Sequence, residues 1–191
     1  MKEVNPIRDK VILNCIAKDL KEQNERDYMI FMCGIYLGRR ISDILKLRVC
    51  DLKDKKGKIK EYMYVTETKT KKQIQLPINK RLRKELDAYL RDMLPHEYIF
   101  KTRVTMHKGN YSMHRSTFYK ILRAAAAKYG LERIGCHTMR KTFGYWHYMD
   151  HKDAVILMEI FGHSDVSVTL RYIGINQKNI DDSMENFDLF D

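Results

Sequence analysis

The residue types that could do chemistry are concentrated between His137 and Tyr172. His137 and Arg140 stand three residues apart, a second histidine follows at His163, and Tyr172 comes nine residues after it. Side chains three residues apart on a helix are neighbours, so His137 and Arg140 would share one face. Two hydrogen-bond donors beside a phenol suit a negatively charged substrate and an oxygen nucleophile. The spacing therefore favours phosphoryl transfer through a covalent phosphotyrosine.

The same stretch resembles the second signature of the tyrosine recombinase (phage integrase) family. That signature runs His-x-x-Arg, then Leu-Gly-His, then a tyrosine nine residues later. The corresponding residues here are His137-Thr-Met-Arg140, Phe161-Gly162-His163 and Tyr172. The resemblance implies DNA cleavage with a 3′-phosphotyrosyl intermediate and a free 5′-hydroxyl. It also implies that neither ATP nor a metal ion is needed, so no cofactor and no metal site are expected.

A second region of resemblance begins at the end of a predicted apolar helix. The family's first signature, Thr-Gly-Leu-Arg-Ile-Ser-Glu-Leu-x-x-Leu, is similar to residues 37–47. Aligning the Ile-Ser-acid portion places the family's phosphate-contacting arginine at Arg40. Leu37 replaces the threonine, and Arg39 fills a slot that is normally apolar. Arg39 is therefore the alternative if the register shifts by one residue.

Three strand-like segments follow, at residues 49–52, 59–66 and 73–78. The second is rich in Tyr, Val and Thr, and the third alternates apolar with polar residues, as half-buried strands do. In the family, a hairpin at this place carries a lysine, often followed by threonine, that protonates the leaving oxygen. Lys69-Thr70 fits that pattern, and Lys71 and Lys72 are the alternatives.

The resemblance implies a role for each of the other candidates. Arg40 and Arg140 would bind phosphate oxygens, because guanidinium groups stay protonated and donate in pairs. His163 would donate a further hydrogen bond to a non-bridging oxygen. Tyr172 would be the nucleophile and His137 the candidate base, since a phenol with a pKa of ~10 must lose its proton. The predicted catalytic set is Arg40, Lys69, His137, Arg140, His163 and Tyr172.

Composition is consistent with an anionic partner. The 191 residues have a formal net charge of +11, and residues 38–72 hold 12 Lys/Arg against five Asp/Glu. Such an excess favours nucleic acid binding. The four cysteines are widely spaced with no Cys-x-x-Cys pair, and no signal peptide is recognisable, so reduced thiols and a cytoplasmic location are expected. No apolar run approaches the ~20 residues that span a bilayer.

The predicted fold is mixed α/β and predominantly helical, with a small three-stranded antiparallel sheet, as in tyrosine recombinase catalytic domains. Asn5-Pro6 predicts the start of the first helix. Further helices are predicted at residues 28–37, 79–94 and 116–129. We expect residues 1–175 to form the catalytic domain and residues 176–191 an acidic tail that packs on its own domain or on a neighbouring subunit. The family's separate N-terminal core-binding domain is expected to be absent.

These observations predict the catalytic domain of a site-specific DNA recombinase that serves integration, excision or inversion. Two alternatives stay open at this point: a type IB topoisomerase-like enzyme that relaxes DNA, and a DNA-binding accessory protein without catalysis. The expected partner is double-stranded DNA. The family works on DNA as a homotetramer, and a monomer is compatible with the DNA-free chain.

Overall fold

The computed structural model describes residues 4–66, 73–102, 109–175, 184–185 and 187. Within these residues, no helix is long and apolar enough to cross a membrane. In chain order the elements are α1 Lys10–Gln23, α2 Glu25–Leu37, α3 Ile41–Leu45, α4 Val49–Leu52, β1 Tyr62–Thr66, β2 Gln73–Pro77, α5 Lys80–Tyr89, α6 Arg115–Ala127, α7 Thr138–His151, α8 Ala154–Phe161 and α9 Val166–Ile173.

The antiparallel sheet has two strands in the described part of the chain, so the prediction of three strands was wrong. β1 and β2 pair with Tyr62 opposite Pro77 and Thr66 opposite Gln73. The segment predicted as the first strand is the short helix α4. Its two buried residues, Val49 and Leu52, are three apart, which suits one face of a helical turn rather than the alternation of a strand.

The predicted helix start at Asn5-Pro6 was also wrong. α1 begins at Lys10, where the Asp9 side chain caps the helix by accepting hydrogen bonds from two backbone N–H groups. The preceding segment is not helical and contacts α7, where the Ile7 N–H donates to the Thr142 hydroxyl at 2.9 Å. α5 ends at Tyr89 rather than near residue 94.

Among the described residues two hydrophobic clusters form the interior, and α7 contributes to both. Met139 of α7 belongs to the larger cluster, with residues of α1, α2, α5 and α6, and Tyr145 of α7 belongs to the smaller one. A Cβ added to Gly34 of α2 would lie 2.4 Å from the Met139 sulfur, so α2 and α7 approach closely. The buried members of the smaller cluster are Tyr145, Leu157, Phe161, Ile173 and Ile175. α7 is therefore the central support of the C-terminal helices.

Gly144 allows α7 to pack tightly against α8 and α9. A Cβ at this position would lie 2.7 Å from both Ile173 and Phe161. In a free helix alanine is more favourable than glycine by about 1 kcal/mol. We expect Gly144→Ala nevertheless to destabilise the protein by about 1–3 kcal/mol, because the packed neighbours must move. Urea unfolding measures this change, and an unchanged or raised stability would contradict the close packing.

Candidate active site

Four of the six predicted residues lie together where α7, α8 and α9 meet. His137 is the residue that precedes the first turn of α7, and Arg140 lies in that turn. His163 directly follows Gly162, which ends α8 in a left-handed conformation with φ of 63°. Tyr172 lies in the last turn of α9. Tyr172 is close to both histidines, with 3.1 Å between its hydroxyl and His137 Nδ1 and 5.3 Å between the ring centroids of Tyr172 and His163.

Arg140 is held almost entirely inside the protein, with 2% of its surface exposed. Its Nη1 donates to the Gly38 carbonyl and its Nη2 to the Phe161 carbonyl, both at 2.8 Å. The guanidinium also lies over the Phe161 ring, 4.2 Å from its centroid. Burial lowers the pKa of Arg140 to about 10, which still leaves it cationic at neutral pH. Its position is therefore fixed by the C-terminal ends of two helices.

Gly38 has a conformation and a neighbour that require glycine. Its φ is 59°, in the left-handed region, and an added Cβ would lie 2.4 Å from the Phe143 ring. This turn ends α2 and orients the carbonyl that Arg140 binds. The glycine of the first signature thus supports the arginine of the second.

The two adjacent arginines, Arg39 and Arg40, are placed differently. Arg40 is exposed at the start of α3, and its positive charge helps to lower the pKa values of His137 and His163. Arg39 is buried, and its Nη1 donates to the Ile160 carbonyl at 3.1 Å. Arg40 is therefore open to a ligand beside both histidines, whereas Arg39 joins the α2–α3 turn to α8.

His137 and Tyr172 form a pair between which a proton could pass. Burial raises the pKa of Tyr172. Arg140 opposes that rise through its charge and through a hydrogen bond to the phenol, and the charge of Arg40 opposes it further. Partial burial is also the main cause that lowers the pKa of His137, with Arg140 and Arg40 the next contributors. At neutral pH the imidazole is therefore uncharged and can accept the phenol's proton.

His163 is half-buried between Phe161 and Tyr172, with ring centroids 5.3 Å from each. Its Nδ1 lies 3.0 Å from the hydroxyl oxygen of Thr169 on α9. Burial, and then the charges of Arg140 and Arg40, lower the pKa of His163. The ring is thus neutral and oriented by α9.

Sequence reasoning missed two residues that contact this group. Lys141 is buried on α7, with its Nζ 5.2 Å from the centroid of the Tyr172 ring. Its position four residues after His137 could have drawn attention to it, since such residues are helix neighbours. Thr169 is fully buried in α9 and contacts His163, which lies in the loop between α8 and α9. His163 and Thr169 are six residues apart, and no rule of helical spacing predicts their contact.

The predicted general acid is outside the described residues. Lys69 and its alternatives Lys71 and Lys72 fall between the described ends of β1 and β2, so Lys69 stays a prediction. Most of the predicted acidic tail, residues 176–191, is also outside the described ranges. Within those ranges, no group of three or more His, Cys, Asp or Glu side chains could hold a metal ion.

Comparison with known proteins decides the family. The model of the "Phage integrase family" matches residues 8–179 of this chain. The chain belongs to the phage integrase family. This phage integrase homologue shares 43% identity over 174 residues with the probable integrase/recombinase YoeC of Bacillus subtilis strain 168, and the match covers 91% of each protein. It is 28% identical over 156 residues to a tyrosine recombinase of Pseudothermotoga lettingae, covering 80% of this chain and 51% of that protein.

Solved structures confirm the predicted fold of a tyrosine recombinase catalytic domain. The crystal structure of XerA recombinase superposes with a TM-score of 0.72 at 17% identity, over 100% of this chain and 66% of that one. A lambda integrase tetramer bound to a Holliday junction gives a TM-score of 0.67 at 15% identity, over 92% of this chain and 50% of that one. The chain thus spans most of YoeC but about half of several other integrase relatives.

Proposed function

We propose that this chain is the catalytic domain of a site-specific DNA recombinase that cuts and rejoins strands through a 3′-phosphotyrosyl intermediate. The observation that carries the proposal is the 3.1 Å approach of the Tyr172 hydroxyl to His137 Nδ1, beside the buried cation Arg140. A phenol placed next to a neutral base and a phosphate-binding cation is equipped for nucleophilic attack on a phosphodiester.

In the proposed cleavage step, the Tyr172 oxygen attacks the scissile phosphorus and His137 takes the phenol's proton. Arg140 and Arg40 stabilise the additional negative charge on the phosphate, and His163 donates a hydrogen bond to a non-bridging oxygen. The bond from phosphorus to the 5′ oxygen breaks, and that oxygen receives a proton from Lys69. A 5′-hydroxyl then attacks the phosphotyrosine and releases Tyr172. Because the bond energy is retained in the phosphotyrosine, the cycle needs no ATP.

The proposed partner is double-stranded DNA, which fits the net charge of +11. The lambda integrase that resembles this chain in fold is a tetramer on a Holliday junction, which supports a homotetramer on DNA. A DNA substrate also supports the predicted cytoplasmic location. The preformed contact between Tyr172 and His137 disfavours a purely DNA-binding accessory protein, for which a nucleophile beside a base would serve no purpose.

The proposal is tested by covalent trapping on nicked duplexes that carry a randomised central sequence. When the protein cleaves a bond a few nucleotides from the nick, the short fragment between the cut and the nick, which carries the 5′-hydroxyl, diffuses away, so the protein stays attached to the DNA. We expect a protein–DNA adduct that resists denaturation. Peptide mass spectrometry of this adduct should locate the attached DNA on Tyr172. An adduct mapped to another residue would contradict the mechanism. Supplying a second duplex separates recombination from relaxation, because only a recombinase joins strands of different parents.

The pH dependence of cleavage is expected to report the neutral form of His137. Its pKa is lowered from 6.5 by burial and by nearby cations, so the base is uncharged at neutral pH and becomes protonated only below 6.5. Single-turnover cleavage should therefore be level near neutral pH and should fall as the pH drops through the depressed pKa. His137→Asn should slow cleavage by ~10²–10⁴-fold and flatten the acidic limb.

The stability of the folded protein is also expected to fall as the pH drops, so it must be measured as a control for the cleavage rates. A histidine with a lowered folded-state pKa is charged more readily when unfolded, so folding stability is lost as the pH falls below 6.5. Circular dichroism at each pH therefore defines the range in which the protein remains folded. A cleavage rate that is already falling between pH 8 and 7 in folded protein would contradict a neutral His137 base.

A further inference from the structure

The Thr169 hydroxyl lies within hydrogen-bonding distance of His163. The side chain is fully buried, and its oxygen lies 3.0 Å from His163 Nδ1 and 3.3 Å from the backbone carbonyl oxygen of Asp165. A hydroxyl has one proton, so it can donate to only one of these two acceptors. The choice determines which nitrogen of a neutral imidazole carries hydrogen.

The geometry favours donation from Thr169 to His163. The Asp165 carbonyl can accept from the hydroxyl at 3.3 Å, but it also accepts the Thr169 backbone N–H, so it stays hydrogen-bonded when the hydroxyl donates to His163. The contact with the imidazole is also the shorter of the two. When the hydroxyl donates to Nδ1, the ring proton resides on Nε2. In the opposite arrangement Nδ1 carries the proton, and Nε2 offers a lone pair that would repel a phosphate oxygen.

We propose that Thr169 is a positioning residue that holds neutral His163 as its Nε2–H tautomer, so that the ring presents a hydrogen-bond donor to the scissile phosphate. The inference rests on the proposed function, because it assigns His163 a phosphate ligand. Because Thr169 contacts Nδ1, Nε2 is the ring nitrogen that is left to donate to the phosphate. The ring stands edge-on to Tyr172, the proposed nucleophile.

The effect of Thr169 depends on His163 being uncharged. The charged groups that act on the imidazole are Arg140 and Arg40, and together with burial they lower the pKa of His163. An imidazolium donates from both nitrogens, whatever the threonine does. Thr169 is therefore important at neutral pH and loses its importance once His163 is protonated. A residue that only supports packing would show no such dependence.

Two substitutions separate the hydroxyl from the packing. Thr169→Val replaces the hydroxyl by a methyl group of similar size, and Thr169→Ser keeps the hydroxyl and removes a methyl group. Nitrogen-15 NMR of the DNA-free protein, with the His163 signals assigned by their loss in His163→Gln, reports the tautomer directly. We expect protonated Nε2 and unprotonated Nδ1 in the wild type and in Thr169→Ser. In Thr169→Val we expect a mixture of the two tautomers.

Cleavage of the nicked duplexes supplies the second readout. At pH 7.5 we expect Thr169→Val to lower the single-turnover cleavage rate by about 10–100-fold at unchanged DNA affinity, the size of effect that loss of a hydrogen-bonded partner has for metal-ligating histidines. Thr169→Ser should cleave close to the wild-type rate. The ratio of wild-type to Thr169→Val rates should shrink as the pH falls below 6.5. Taking the ratio removes the contribution of His137, which both proteins share.

Each result bears on one of the two proposals. A Thr169→Val protein with the wild-type tautomer, or a rate ratio that is independent of pH, would overturn the role of Thr169. Absence of a covalent adduct with wild-type protein would instead count against the proposed function. The NMR measurement needs no DNA, so it decides the tautomer of His163 in either case.

Discussion

Replacing Tyr172 by phenylalanine is expected to abolish the covalent protein–DNA adduct, with a loss of at least ~10⁴-fold, as removal of a nucleophile usually causes. Phenylalanine lacks the oxygen that would bond to phosphorus. The ring contacts of residue 172 with Phe161 and His163, at centroid distances of 5.5 and 5.3 Å, should persist. The fold and the DNA affinity are therefore expected to stay close to wild type. Denaturing gels measure the adduct, and fluorescence anisotropy measures binding.

A matched tyrosine provides the control for this substitution. Tyr148 of α7 is half-buried and packs against the same small hydrophobic cluster as Tyr172. Tyr148→Phe should leave the adduct in place, because only its ring is used in that packing. A persistent adduct in Tyr172→Phe would refute the assignment of the nucleophile. Loss in both variants would point to damage of the cluster rather than to chemistry.

The candidate site was predictable where the relevant residues lie in short segments of the chain. His137 and Arg140 are separated by three positions, and His163 and Tyr172 by nine, so each pair lies within one or two neighbouring helices. The structure brings these four residues together. The burial of Arg140 could not have been foreseen, because its two carbonyl partners are distant in the sequence. Gly38 lies 102 positions before Arg140, and Phe161 lies 21 positions after it. The same holds for Thr169, which becomes visible only once α9 packs beside His163.

The errors in the predicted fold have the same cause. The strand prediction for residues 49–52 relied on local residue types, whereas the core buries Val49 and Leu52 on one face of a helical turn, and the Glu97 carbonyl accepts the Val49 N–H at the start of that turn. Asn5-Pro6 has the residue types of a helix start, but the Asn5 N–H donates to the Arg133 carbonyl, and the first helix begins only at Lys10. Tertiary packing and tertiary hydrogen bonds overrode local propensity in these two places.

Replacing Arg140 by methionine is expected to impair both stability and catalysis. The substitution removes the donors for the Gly38 and Phe161 carbonyls, and a buried acceptor left without its partner costs about 1–3 kcal/mol. We therefore expect a loss of about 2–5 kcal/mol in the free energy of unfolding, measured with urea. Cleavage by the protein that remains folded should fall by ~10²–10³-fold, since one charged donor to the phosphate is missing.

Substituting Arg40 and Arg39 separately tests which of the two binds the phosphate and which has a structural role. Arg40 is exposed, so Arg40→Met should change the free energy of unfolding by no more than about 0.5 kcal/mol while reducing cleavage by ~10²–10³-fold. Arg39 is buried and donates to the Ile160 carbonyl, so Arg39→Met should mainly destabilise the protein by about 1–3 kcal/mol. Cleavage at a temperature where every variant is folded separates the two effects. If the folded Arg39 variant were the inactive one and the Arg40 variant cleaved normally, the register of the first signature would shift by one residue and Arg39 would be the phosphate ligand.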